Sequence, residues 1–126
     1  MNTRVTAANL KVTLAAAKNG RARAQDAMGL AYLEGTVTVH DFDRGLKWSS
    51  LAANQNLATA QCNLANLLAA GNGVEKDPVK AATWYRIAQY NGDEDAAKGL
   101  KSMTRTLTAS QTAEADAAAE KRSQKG

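Results

Sequence analysis

Two tryptophans, Trp48 and Trp84, stand 36 residues apart, and the same offset brings other parts of the chain into register. The pairs matched at this offset are Ala24-Gln25 with Ala60-Gln61, Met28 with Leu64, Gly35 with Gly71, Asp41 with Asp77, and Ala52 with Ala88. Self-similarity at one fixed period is the sequence signature of a repeat architecture, in which each unit buries its apolar face against its neighbours. The period therefore predicts stacked copies of one supersecondary unit.

Each unit has the pattern of a helix, a turn and a second helix. The first helix, helix A, is predicted at about 23–33 in unit one and 59–69 in unit two. Apolar residues recur there at the i, i+4, i+7 and i+8 spacing of an amphipathic helix. The two stripes, both expected to face the core, are Ala24, Met28, Ala31 and Tyr32, and then Ala60, Leu64, Leu67 and Leu68.

The second helix of each unit, helix B, is predicted to start after an aspartate. Asp77 followed by Pro78 fits an N-cap with proline at the first helical position, and Asp41 is expected to cap unit one. The helix B stripes are Gly45, Trp48 and Ala52, and then Ala81, Trp84 and Ala88. We interpret both tryptophans as core between helices rather than as stacking platforms for sugars or bases.

The junctions and ends of the array follow the same period. Gly20, Asn56 and Gly92 occupy equivalent positions and are residue types that tolerate the left-handed conformation past a helix end. Thr108 and Gln111 fit a capping box for a last helix to about Lys121, expected to bury only alanines such as Ala113 and Ala117. We expect one domain over 1–126, with a degenerate N-terminal cap helix at 5–19, repeats at 20–56 and 57–92, a third helix A with a C-terminal capping helix at 93–121, and a frayed tail at 122–126.

Composition excludes several classes of function. The net charge is +4, but the basic residues are dispersed instead of forming the stripe typical of a nucleic-acid binder. No apolar run reaches the roughly 18 residues needed to cross a bilayer, and no secretory signal follows Met1. We therefore expect a cytoplasmic protein that neither binds nucleic acid nor inserts into membranes. One cysteine cannot form an intramolecular disulfide.

Few side chains could carry chemistry. His40 is the only histidine and precedes the Asp41 cap, so a place in the turn explains it better than catalysis does. Cys62 could act as a nucleophile if His40 approached it, but nothing in the sequence places the two together. One histidine and one cysteine cannot supply the ligands of a zinc site. Gly71-Asn72-Gly73 lacks the lysine and the preceding strand of a phosphate loop and is interpreted as a turn. No metal or cofactor is expected.

These residues resemble Sel1-like repeats. The resemblance rests on Ala24-Gln25, Met28-Gly29, Tyr32, Gly35, Asp41, Trp48 and Ala52-Ala53 in unit one, and on Ala60-Gln61, Leu64, Gly71-Asn72-Gly73-Val74, Asp77, Lys80-Ala81, Trp84-Tyr85 and Ala88 in unit two. Unit one departs from the pattern with Val37 in the turn and Ser49 where tyrosine is common, and unit two has Ala65 at the position of Gly29.

The resemblance implies an all-α fold related to tetratricopeptide repeats: a right-handed α/α superhelix of, here, six to seven helices. It also implies a non-enzymatic role in protein complexes, as an adaptor, regulator or small inhibitor, in families that are often bacterial. It names no partner.

In superhelices of helical hairpins the A helices line the concave face, which is usually the interface of a repeat array. The helix A residues opposite the core stripe are the candidates for binding a protein. They are Arg23, Asp26, Leu30, Leu33 and Glu34, then Thr59, Cys62, Asn66 and Ala69, and then Asp95, Lys98, Ser102 and Arg105. The other interpretation is that these residues are only the solvated face of three helices.

Three functions are weighed. The first is an interaction module that holds a protein partner in the concave groove. The second is a structural array that associates weakly with itself through its ends. The third, and most distant, is a cysteine-dependent enzyme.

Overall fold

The computed structural model describes residues 4–35, 38, 40–71 and 75–125, and these form seven helices and no strand. The helices are α1 (Leu10–Lys18), α2 (Ala22–Glu34), α3 (Phe42–Ala53), α4 (Ala58–Ala70), α5 (Pro78–Tyr90), α6 (Asp95–Thr104) and α7 (Ala109–Lys125). The predicted all-α solenoid is confirmed. Helices α2, α4 and α6 are the three A helices, and α3 and α5 are the B helices of unit one and unit two. Val37, Asn72, Gly73 and Val74 lie outside the described residues.

The helices stack in chain order. Helices α2 and α3 form one hairpin and α4 and α5 the next, while α3 packs on α4, and α5 packs on α6. Among the described residues the A helices also contact one another, α2 with α4 and α4 with α6, whereas α3 and α5 make no comparable contact. Helices lie closer together on the inside of a curved stack than on the outside. The A helices therefore line the inner, concave side.

Chain direction at the unit junctions depends on positive φ angles. Gly20, Asn56 and Gly92 have φ values of 89°, 64° and 96°, as their equivalent positions predict. Gly35 and Gly71 adopt the same left-handed conformation at the C-caps of α2 and α4. Left-handed backbone is strained for residues with a Cβ, and asparagine is among the few that adopt it routinely.

The predicted caps are present. The Asp41 carboxylate accepts from the Arg44 N–H at 3.1 Å, and the Asp77 carboxylate accepts from the Lys80 N–H at 3.0 Å. Thr108 and Gln111 form the reciprocal capping box at the start of α7, with N···O distances of 2.9 and 3.1 Å. Each cap satisfies backbone donors that a helix start leaves without an intrahelical partner.

The core consists of small side chains with a few large ones inserted between them. Met28 is buried between α1 and α2, and Leu64 packs with Ala52, Ala53 and Ala60 where the two units meet. Trp48 and Trp84 pack at the edges of these clusters and remain partly exposed. Both tryptophans thus lie between helices, as their spacing predicts, but neither is fully enclosed.

Two buried glutamines hold successive units together. The Gln25 amide donates to the Ala17 carbonyl at 3.2 Å and accepts from the Gln55 amide at 2.8 Å. The same set of bonds recurs 36 residues later among Gln61, Ala53 and Asn91. Sequence comparison matched the glutamines but assigned them no role. Because buried polar groups need hydrogen-bond partners, this repeated network favours one stacking register.

The C-terminal helix is longer than predicted and buries different alanines. Helix α7 continues to Lys125, past the predicted end at about Lys121. The Arg122 guanidinium lies 4.7 Å from the Trp84 ring centroid and donates to Asn54 at 3.1 Å. The buried alanines of α7 are Ala115 and Ala119, whereas Ala113 and Ala117 are exposed. Helix α7 packs on α5 and has no broad contact with α6 among the described residues. Alanines occur on every side of this helix, so its sequence does not mark the buried face.

Candidate functional site

A cavity of about 370 Å³ lies on the concave side, between α2, α4 and the start of α6. We call it the concave groove. Seven of the residues predicted for the binding face line it: Arg23, Asp26, Leu30, Thr59, Cys62, Asn66 and Asp95. The period of 36 thus brings side chains from three separate helices around one space.

The other predicted residues lie outside the groove. Leu33 covers Gly45 in the α2–α3 hairpin, since a Cβ built on Gly45 would lie 2.6 Å from the Leu33 side chain. Glu34 forms an ion pair with Arg4, and Ala69 packs against the core of unit two. The remaining three, Lys98, Ser102 and Arg105, are exposed on α6 away from the cavity.

Three lining residues were missed by sequence reasoning: Leu57, Asn63 and Asp93. Leu57 and Asp93 are 36 residues apart. Leu57 directly precedes α4, and Asp93 lies two residues before α6. Extending the candidate segments by two residues toward the start of each A helix would have included both. Asn63 is adjacent to Cys62 in sequence, and only the packing of α4 against α2 shows that it reaches the groove.

Asp26 and Asn63 connect the two central helices across the groove. The Asn63 amide donates to the Asp26 carboxylate at 3.0 Å. Burial raises the pKa of Asp26, and this hydrogen bond lowers it by a smaller amount. Because burial has the larger effect, the folded protein stabilises the ionised carboxylate of Asp26 less well than water does.

Cys62 forms part of the floor of the groove and is 7% exposed. Burial, followed by the negative charges of Asp93 and Asp95, raises the pKa of Cys62 to about 11. The thiol is therefore protonated at neutral pH, while a nucleophilic cysteine needs its thiolate. His40 packs edge-on against Phe42, with ring centroids 4.4 Å apart. No contact found among the described residues joins His40 to Cys62.

Tyr85 of α5 holds Asn66, one of the residues that line the groove. Its hydroxyl donates to the Asn66 side-chain oxygen, and burial and the adjacent Cys62 raise the pKa of Tyr85. Its ring lies against Gly99, where a Cβ would come within 2.3 Å of a ring carbon. Asn66 is thus oriented by a side chain from the other helix of its own unit.

Two larger cavities lie elsewhere. One of about 600 Å³ is lined by α3, α4, α5 and α7, and one of about 690 Å³ lies at the N-terminal end beside α1. Both have mainly apolar walls. The concave groove differs from both, because polar and charged side chains make up most of its lining.

Two kinds of feature were sought in the part of the chain that the structure covers: clusters of metal-ligating side chains and helices able to span a membrane. Within 4–35, 38, 40–71 and 75–125, no three His, Cys, Asp or Glu side chains come together as a metal site would require. None of the helices described combines the length and the apolar character that crossing a bilayer demands.

The family model of the Sel1 repeat matches residues 22–57 and 58–93, which together make up more than half of the chain. The chain belongs to the Sel1 repeat family. The matched segments follow the two units found from the 36-residue period, each beginning one or two residues later than predicted. Sel1 repeats generally serve as protein-interaction modules and are generally not catalytic.

Two solved Sel1 repeat structures are similar to this one. A protective antigen of uropathogenic Escherichia coli strains, which displays an SLR fold, superposes with a TM-score of 0.87 at 28% identity, over 91% of this chain and 25% of that chain. A Sel1 repeat protein from Oxalobacter formigenes gives a TM-score of 0.69 at 34% identity, over 75% of this chain and 39% of that one. The chain thus spans a quarter to two-fifths of the length of these proteins.

Proposed function

We propose that this Sel1 repeat chain is a non-enzymatic interaction module that holds a segment of a protein partner in its concave groove. The observation that carries the proposal is the convergence of seven predicted surface residues, from α2, α4 and α6, on one cavity. A role as adaptor, regulator or small inhibitor would follow from which partner occupies the groove.

The side chains of the groove support binding over catalysis. They combine charged, amide and apolar groups, which suit recognition of a peptide segment. Its one cysteine is protonated at neutral pH, because burial and two carboxylates raise its pKa to about 11. Among the described residues, three A helices line the cavity, and a space of about 370 Å³ suits one compact contact.

The test is a selection of short random peptides displayed on phage against the full chain. Recovered peptides are then measured against Thr59→Trp, which fills the groove from an exposed position in the first turn of α4. Ala113→Trp is the matched control, because Ala113 is an exposed helical residue remote from the groove. We expect Thr59→Trp to weaken binding at least about tenfold, a loss near 1.4 kcal/mol, and Ala113→Trp to leave it unchanged.

Peptides whose affinity is equal for both variants bind elsewhere, and a selection that yields only these overturns the proposal. Circular dichroism of both variants checks that the helical fold is retained.

Self-association is the second candidate, favoured by one observation. Val12 occupies the position equivalent to Trp48, yet it is 73% exposed and lies beside the apolar cavity at the N-terminal end. An exposed apolar end could stack on a second copy. Sedimentation that shows oligomers at high concentration, lost on Val12→Glu, would support this candidate. A monomer throughout would exclude it.

A further inference from the structure

We propose that the concave groove recognises a basic side chain, the arginine or lysine of a partner segment, held between Asp26 on one wall and Asp93 and Asp95 on the other. This inference rests on the proposed function, because it specifies the chemistry of the segment that the groove holds. It adds that the bound segment carries a positive charge between these three carboxylates.

The three carboxylates come from opposite sides of the cavity. Asp26 lies in the second turn of α2, whereas Asp93 and Asp95 lie at the start of α6, and α4 forms the floor between them. Of the described residues that line this space, Arg23 alone is basic. The groove therefore carries an excess of negative charge in a chain whose net charge is +4. Such a local reversal of sign selects for a cationic group.

Charge at a helix start does not account for all three residues. Acidic side chains in the first turn of a helix are stabilised by the helix dipole, which explains Asp95 and also Asp93, whose carboxylate accepts from the Ala96 N–H at 3.1 Å. Asp26 is the fifth residue of α2 and has no such reason to be acidic. Its burial raises its pKa, so the ionised form is only partly compensated by Asn63.

The carboxylates retain capacity to accept hydrogen bonds. An ionised carboxylate offers about four acceptor sites. The contacts found for Asp26 and Asp93 engage one oxygen each, and Asp95 shows no side-chain contact within the described residues. A guanidinium carries five donors in a planar fork and can bond to two carboxylates at once.

The floor of the groove gives an independent indication. The Cys62 thiol is more than nine-tenths buried, lines the cavity, and makes no hydrogen bond within the described part of the chain. Asp93 and Asp95 contribute to raising its pKa, which shows that their negative field reaches the floor. Sulfur is a weak acceptor, so a cationic donor above it would supply the missing partner and offset that field.

Arg23 allows a comparison of two opposite charges in the groove. Arg23 is exposed, forms no ion pair among the described residues and lines the same cavity. It repels an incoming cation, whereas the three carboxylates attract it. Removing the charge of Arg23 and removing that of Asp26 should therefore change affinity in opposite directions.

The experiment uses the peptides selected on the full chain that lose affinity to Thr59→Trp. We expect one position of these peptides to be enriched in arginine and lysine. Asp26→Asn and Asp95→Asn should each weaken binding about fivefold at low salt, and Arg23→Gln should strengthen it. Asp43→Asn is the matched control, because Asp43 is an exposed carboxylate on α3, outside the groove, and should have no effect.

The outcomes separate this inference from the proposed function. Groove-dependent peptides without an enriched basic residue, or equal affinities for wild type, Asp26→Asn and Asp95→Asn, overturn the inference and leave the binding function intact. The absence of any groove-dependent peptide overturns both. Asp26→Asn preserves the shape of the side chain and an oxygen that can accept from Asn63, so loss of folding is not the expected cause of a weaker complex.

Discussion

In unit one the two helices pack together at Gly29 and Gly45, whereas unit two has Ala65 and Ala81 at the equivalent positions. A Cβ on Gly29 would lie 2.5 Å from the Ser49 hydroxyl and within 3.2 Å of two backbone atoms of α3. Ala65 and Ala81 accommodate their Cβ atoms and are fully buried. Helices α2 and α3 therefore approach more closely at this point than the same pattern requires in unit two.

The next difference lies at the position of Ser49 and Tyr85. The Tyr85 ring occupies the space that Gly99 leaves free on α6, and its hydroxyl reaches Asn66. The residue 36 positions before Gly99 is Asn63, whose side chain instead reaches Asp26. The two units thus differ at both positions of this pair: unit two has Tyr85 against Gly99, whereas unit one has Ser49 and the next unit Asn63 at the equivalent positions.

The largest effect is expected from Tyr85→Ser, which gives unit two the residue of unit one. Tyr85 is 4% exposed, and replacing its ring leaves a cavity against Gly99. Losses for large aromatic side chains in cores are about 3–5 kcal/mol in the free energy of unfolding. Urea denaturation measures the change. Ser49→Ala is the control: the Ser49 hydroxyl is buried without a hydrogen-bond partner, so its removal should be nearly neutral. A loss below about 1 kcal/mol for Tyr85→Ser would show that the ring is not a core element.

Gly29→Ala should be the next in size. Helix propensity alone favours alanine by about 1 kcal/mol, but the new Cβ meets backbone atoms that cannot move independently. Overpacking of this kind costs about 1–3 kcal/mol, so we expect a net loss of stability in urea denaturation. The reciprocal change, Ala65→Gly, should also destabilise, by about 1 kcal/mol, through propensity. Stabilisation by Gly29→Ala would contradict the close approach in unit one.

The two N-caps should behave alike, because this feature is shared by both units. Asp41→Ala and Asp77→Ala each remove a carboxylate that accepts from a backbone N–H in the first turn of a B helix. Each should lower the free energy of unfolding by about 1 kcal/mol. Glu75→Ala, which changes an exposed carboxylate without a cap role, should have little effect. A much smaller loss for Asp77→Ala than for Asp41→Ala would show that Pro78 stabilises the start of α5 without the cap.

Asp26 and Cys62 occupy equivalent positions, and Asp26→Asn should change stability in a pH-dependent way. Burial raises the pKa of Asp26 above 3.8, so the folded protein keeps this proton to higher pH than the unfolded chain does. The contribution of Asp26 to stability is therefore lost as pH rises from 3.8 through its folded pKa. Asp26→Asn should raise the melting temperature at pH 7 and have no such advantage below pH 3.8. If Asp26→Asn still raises the melting temperature below pH 3.8, the stabilisation comes from packing and not from removal of the charge.

Cys62 should show the smallest effect, a difference in reactivity without a change in fold. Its pKa of about 11 keeps the thiol protonated at pH 8, and its burial limits access. A thiol reagent should label it much more slowly in the native protein than in urea. Equal rates would show that the floor of the groove is open.

The sequence alone determined the repeat architecture, because the helix period, the caps and the left-handed junctions are local properties. Asp41, Asp77, Asn56 and Gly92 each act through their own backbone or that of the next turn, and all four were predicted. The concave face was also found, since the residues of helix A opposite the core stripe follow from helical geometry. Seven of them line the groove.

Only the tertiary structure decided which residues meet across helices. Sequence predicted Leu33 and Ala69 for the binding face, but Leu33 packs in the α2–α3 hairpin and Ala69 against the core of unit two, so neither lines the concave groove. The pairing of Asp26 with Asn63 and the contact of Arg122 with Trp84 join distant parts of the chain. A repeat period fixes which positions are equivalent. It does not fix what fills the space between them, because that depends on the volumes of side chains from several helices at once.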